Sequence, residues 1–273
     1  MRKKCLIILC IAFMNLVACG DTEENDTEII TKEEAEERFA EKYFEFELNE
    51  DGNGYIITDF LDYKYDELEL TIPSNYKGLP VLEIKDNSFK GLDIEKLTLP
   101  NNLEVIGTAA FFGCDSLKEI EFPSSLWKID TYAFEECDAL IDLAIPAGTC
   151  IEFGAFQNCD SLKTVTLGGE EIIMFAHIAQ YAFHECTSLE TVHIGEGYTS
   201  IGENAFSYCD NLKIVEIPST MATIGSCAFE HCESLEIMRY NASEAKFGNI
   251  ERGPWWLKDT GSFDLSNDLE CTD

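Results

Sequence analysis

Twelve cysteines and four histidines are the side chains in this sequence most able to do chemistry. A thiolate is a nucleophile and a metal ligand, and an imidazole beside it would serve as its base. Six of the cysteines, Cys114, Cys137, Cys159, Cys186, Cys209 and Cys232, each stand three residues after a Phe. A column of this kind faces inward, where Cys acts as a small buried apolar side chain. Parallel thiols one strand apart do not form a zinc tetrahedron, so no metal is expected there. Cys150, Cys227 and Cys271 stand outside the column, and Cys150 and Cys227 are too far apart in the chain's repeats to bond to each other. His177, His184, His193 and His231 match no nucleophile motif with a Ser or Cys. The sequence holds neither H-E-x-x-H nor a phosphate-cradling Gly loop, so no catalytic set and no cofactor is expected. Asn49-Glu50-Asp51-Gly52-Asn53-Gly54 imitates the start of a calcium loop, but its twelfth position is Phe60, where a bidentate Glu is required. It reads as a turn. The acids after the column cysteines (Asp115, Asp138, Asp160, Asp210 and Glu233) are expected to accept backbone N–H bonds in their own turns.

The elements that position these groups come from an internal repeat. Ala-Phe recurs at Phe111, Phe134, Phe156, Phe183, Phe206 and Phe229, with Ser88-Phe89 as a degenerate first copy, at spacings of 22, 23, 22, 27, 23 and 23 residues. Every copy has Ile five residues before the Phe, from Ile84 to Ile224, and six copies have Leu six residues after it, from Leu117 to Leu235. Apolar residues follow at nine and eleven, as in Ile120 and Phe122 or Val165 and Leu167, before a Pro or Gly closes the unit. The alternation around Leu-x-x-Ile-x-Phe is a strand, and the Ile–Ala–Phe segment returns along the opposite wall. One such coil cannot bury its own Phe, Ile and Leu, whereas stacked coils can. The expected fold is therefore a solenoid, mainly β with short turns, of stacked ~23-residue coils between N- and C-terminal caps.

Two departures mark the array. A residue is missing after Phe89, which puts Leu92 in the Cys column. The 27-residue spacing before Phe183 places a surplus within residues 168–174, where Gly168-Gly169 permits an excursion. Phe175, eight before Phe183, is expected to keep a core place, and Ile172, Ile173 and Met174 are left as exposed candidates for contact.

Ahead of the repeats the chain carries an address. Arg2, Lys3 and Lys4 precede an apolar run over residues 5–17 that is too short for a mature membrane span and reads as a signal peptide over 1–18. Leu16-Val17-Ala18-Cys19-Gly20 resembles the bacterial lipobox, which implies acylation of Cys19 and export to the cell surface. Residues 19–30 read as an acidic tether. Residues 31–80 hold a short helix opened by the capping box Thr31–Glu34, a hairpin over 43–60 and an opening coil. The solenoid then occupies 81–240 and a closing cap 241–273.

With 52 acidic against 19 basic residues the net charge is −33, which repels phosphate backbones and anionic headgroups. Nucleic acid is not an expected partner, and the membrane is met only through the lipid anchor. The repeat resembles the BspA-like class of leucine-rich repeats, close to Leu-x-x-Ile-x-Ile-Pro … Ile-Gly-x-x-Ala-Phe-x-x-Cys, over residues 43–273. That resemblance implies a surface adhesion or interaction protein, monomeric and without catalysis, binding a protein or glycan of a host or neighbouring cell. The alternative is a scaffolding or substrate-capturing lipoprotein of an envelope assembly. The exposed side of the strand sheet, eight and ten residues after each Phe, supplies the candidate surface: Glu119, Glu121, Asp142, Thr164, Thr166, Thr191, His193, Ile214 and Glu216, with Ile237 and Arg239 beyond them.

Overall fold

Every column of the repeat finds its place in one stacked core. The computed structural model describes residues 16–19, 28–62, 67–169 and 175–272. Each coil lays one strand on a front wall and one on a back wall. The front strands Asp142–Ile145, Thr164–Leu167, Thr191–Ile194, Ile214–Ile217, Ile237–Tyr240 and Leu269–Cys271 form one parallel sheet in that order. The back wall starts as an antiparallel hairpin of Phe44–Leu48 with Tyr55–Phe60 and continues in parallel from Leu79–Ile84 to Glu251–Arg252. The seven Ile residues of the repeat lie at 0–1% exposure. The Phe rings stack along the axis at 5.0–5.4 Å with interplanar angles of 1–11°.

The Ala-Phe turn is tight because the backbone is left-handed two residues before and two after each Phe, as at Tyr132 (φ 57°) and Glu136 (φ 60°). This bend points the Phe N–H at the next coil. Phe134 donates to the Ala155 carbonyl and Phe156 to that of Ala182, both at 2.8 Å, so successive coils are tied by backbone bonds on this edge too.

Both ends are closed by ring chemistry. The helix Lys32–Tyr43 begins with the expected capping box and buries Ala40. Phe44 and Phe60 then cover the open side of Phe89, with centroids at 6.1 and 5.5 Å. At the other end the cap contains an eighth coil. Leu257 takes the Phe position between the left-handed Trp255 and Asp259, and Thr260 takes the Cys position at 7% exposure. Leu16–Cys19 and Glu28–Thr31 pair as an antiparallel ribbon, Leu16 with Thr31 and Cys19 with Glu28, where the tether reading assigns no pairing. Among the described residues no helix is long and apolar enough to cross a membrane.

Phe175 does not keep a core place. It is 68% exposed, and Ala176 faces inward instead, opposite Tyr198, through an irregularity in the ladder between Ala176 and His177. The reason is space. The Tyr198 ring is fully buried, and its hydroxyl reaches two coils back to donate to the Thr149 carbonyl at 2.8 Å. A second large ring has no room beside it, whereas an alanine does.

Candidate functional site

The front sheet carries the surface residues in two outward rows. Asp142, Thr164, Thr191, Ile214 and Ile237 are cross-strand partners in sequence, and so are Ala144, Thr166, His193, Glu216, Arg239 and Glu270. In the second row the charges are tied to one another. His193 Nδ1 lies 2.7 Å from Glu216 Oε2, Arg239 Nη1 donates to Glu216 Oε1 at 3.0 Å, and Arg239 Nε donates to Glu270 Oε2 at 2.7 Å. Partial burial works against the charged form of Glu216, but bonds from His193 and Arg239 outweigh it and hold the carboxyl below its usual range. The sequence placed His193, Glu216 and Arg239 on this face but none of the links between them, and Glu270 was missed because it stands 31 residues from Arg239, behind the cap's short helix Leu265–Asp268.

The expected single face is in fact divided. Glu119 and Glu121 belong to a separate three-stranded sheet, paired with Lys96 and Thr98, and Glu119 makes an ion pair with Lys96 at 3.0 Å. The break coincides with a larger side chain. Where the neighbouring coils carry Leu99, Ile145, Leu167, Ile194 or Ile217, this one carries Phe122, whose ring turns edge-on to Phe134 and Phe156 at 5.7 and 6.5 Å; Tyr240 fills the same column near the other end without breaking its sheet. Across the break, Lys118 on one side and Ile141 and Lys163 on the other help to line an open depression of about 370 Å³. Ile172, Ile173 and Met174 lie outside the described residues, and Cys19 ends the first strand with its side chain likewise outside them.

The cysteine column is buried as expected, and it also forms a ladder of bonds. Each thiol donates to the carbonyl of the Phe one coil earlier, from Cys114 to Phe89 at 3.3 Å through Cys232 to Phe206 at 3.2 Å. Burial pushes these thiols up, Cys114 to about 12, so they carry no thiolate near neutrality. None of the nine cysteines from Cys114 to Cys271 is in a disulfide. The acids beside the column depart from expectation. Asp160 accepts from Thr187 of the next coil at 3.3 Å, and burial together with Asp160 and Asp115 raises Asp138. At residues 49–54 the turn reading holds: the Asn49 side-chain oxygen accepts from the N–H groups of Asn53 and Gly54 at 3.1 and 3.2 Å.

On the back sheet the structure joins what the sequence reading kept apart. The strands Cys150–Ile151 and Ala176–Ile178 are neighbours with Ile151 beside Ile178, so Cys150 and His177 stand side by side on the outer surface. His177 Nε2 lies 3.3 Å from Glu152 Oε1, on the side chain of the residue two after Cys150. The imidazole lowers the Cys150 thiol against the effect of burial. Cys150 in return raises His177 to about 9, with Glu152 adding to it. No local motif announces the pair, but the columns do. Cys150 and His177 each stand six residues before their Phe. A second cluster, Glu230, His231 and Asp259, brings its ligand atoms within 4.8 Å of one another, but the Lys258 ammonium already bridges Glu230 and Asp259.

Comparison with known proteins agrees with this architecture. A model of the BspA type leucine rich repeat region matches in six copies over residues 82–174 and 176–250. The crystal structure of a leucine-rich-repeat protein of T. pallidum is similar at 26% identity and a TM-score of 0.63, covering 78% of this chain and 96% of that one. One from Bacteroides ovatus is 18% identical at a TM-score of 0.39, covering 84% and 75%. A leucine-rich cell surface protein from Faecalibacterium prausnitzii is 17% identical at 0.34, covering 77% and 96%. No curated protein matches the chain.

Proposed function

Because the chain belongs to the BspA-type leucine-rich-repeat family, we propose that it is a surface binding protein, held to the bacterial membrane by acyl chains on Cys19. In this reading it engages a protein or glycan of a host or neighbouring cell through its front sheet and performs no catalysis. One observation carries the choice of face: two outward rows run unbroken and in register across the strands from Asp142–Ile145 to Ile237–Tyr240. Five strands at about 4.8 Å give a platform on the order of 20 Å across, suited to a macromolecular surface. The Thr164–Thr191–Ile214–Ile237 row offers uncharged contact. The charges beside it are already paired, so a partner covering Glu216 or Arg239 desolvates ion pairs and not lone ions. Attachment falls to the lipid, each buried CH₂ contributing about 0.8 kcal/mol.

The test is a screen of the lipid-free protein against glycan arrays and surface proteins, repeated with Thr191→Arg and Ile214→Glu. Both variants are expected to lose the ligands the parent holds while their melting temperatures stay the same. Full retention by both would overturn the front-sheet reading. For the anchor, Cys19→Ala is expected to abolish incorporation of radiolabelled palmitate, and persistent labelling would remove it.

A further inference from the structure

The ladder beneath and the pair above put the same element to opposite uses. We propose that Cys150 is a reversible S-thiolation site on the back sheet: paired with His177, its sulfur takes up low-molecular-weight disulfides by thiol–disulfide exchange. This goes beyond the binding reading and does not depend on it.

Three features of the site support the exchange. Cys150 is half-buried on an outward row, so a small disulfide has a path to its sulfur that the fully buried Cys159 of the same coil lacks. His177 stands beside Cys150 on the adjacent strand, one residue before the paired Ile151 and Ile178, and Glu152 in turn holds the imidazole, with side chains 40% and 27% exposed. A nucleophile, a base and a group orienting the base is the arrangement that activates a thiol. The flanking charges leave that arrangement undisturbed. Lys128 lies opposite Cys150 on the other neighbouring strand, but its ammonium is drawn to Asp130 at 2.7 Å. Ser200 follows His177 in the same row, and the phenol of Tyr198 lies buried beneath. His177 is therefore the cation placed to stabilise a thiolate at Cys150.

The exchange balances. The Cys150 thiolate attacks one sulfur of R–S–S–R, forming a Cys150–S–S–R bond as the original S–S bond breaks. The leaving sulfur departs with the bonding pair as a thiolate and takes the proton from the His177 imidazolium. The products are a mixed disulfide, one R–SH and a neutral imidazole, and excess thiol reverses the step.

The experiment uses the full chain with cystine and 4,4′-dithiodipyridine as probes. At pH 6 one thiol is expected to react about tenfold faster than free glutathione, because its thiolate fraction is larger even though its intrinsic nucleophilicity is lower. Peptide mass mapping after cystine treatment should place the added half-cystine on Cys150. Cys150→Ser should erase the fast phase. His177→Asn should slow it about tenfold at pH 6 and move the midpoint of the rate–pH profile upward, with the two profiles converging in alkali. Lys128→Gln should change neither rate nor midpoint. A fast phase that survives Cys150→Ser, a profile unmoved in His177→Asn, or cystine mapped to another cysteine would each overturn the proposal. His177→Asn and Lys128→Gln keep the parental thiol count in denaturant and Cys150→Ser lowers it by one, so a lost phase in His177→Asn reports reactivity and not a lost residue.

Discussion

Cys150 and Cys159 belong to one coil, and the fold makes different molecules of them. Cys159 is fully enclosed, donates to the Phe134 carbonyl at 3.2 Å and is pushed well above the ordinary thiol range by burial. Cys150 is half-buried on the back strand, where the His177 imidazole on the neighbouring strand pulls it down. The difference teaches that in a solenoid the column, not the residue type, decides chemistry. An inward column stacks a side chain on copies of itself and removes water. An outward column sets it beside whatever the neighbouring coil presents.

The inside of that comparison is the place where a mutation costs most. Phe156→Ala removes a ring stacked on Phe134 and Phe183 and touched edge-on by Phe122. It is expected to cost about 3–5 kcal/mol in urea unfolding. Tyr198→Phe, which strips the buried Thr149 carbonyl of its donor, should cost about 1–3 kcal/mol. Cys159→Ala creates a small cavity and loses the thiol donor, for about 1–2 kcal/mol. Cys159→Ser keeps a donor and should cost less than the alanine, and a larger cost would mean the column tolerates no hydroxyl. On the outside, Cys150→Ser should stay within about 0.5 kcal/mol of the parent. A loss as large as that of Cys159→Ala would collapse the distinction between the two columns.

The smallest effect concerns pH. The Glu216 carboxyl is lowered from its ordinary 4.5 in the folded protein. Its contribution is therefore present above pH 4.5 and is lost as the pH falls through the lower folded value. Because the group is partly exposed, the decline in melting temperature below pH 4.5 is expected to be shallow. Glu216→Gln should flatten that part of the profile, and an unchanged profile would mean the row's charges do not contribute to stability.

The sequence by itself determined the solenoid. The Ile, Phe, Cys and Leu columns recur in phase, and since no coil can bury them alone, phase leaves stacking as the outcome. The helix cap at Thr31, the hairpin and the buried cysteines followed from local rules of the same kind. Tertiary structure decided what depends on volume and on neighbours across coils. Phe175 lost its expected place to the Tyr198 ring, and the front face divided at the coil that carries Phe122, whereas Tyr240, in the same column, stays within the six-stranded sheet. An eighth coil formed in the cap although Arg252, Leu257 and Thr260 match none of the column residues, because its backbone could still bond to the coil beneath. Cys150 met His177 for the same physical reason. A repeat spacing says which residues share a column, but only the closed ladder makes that column a row of touching side chains.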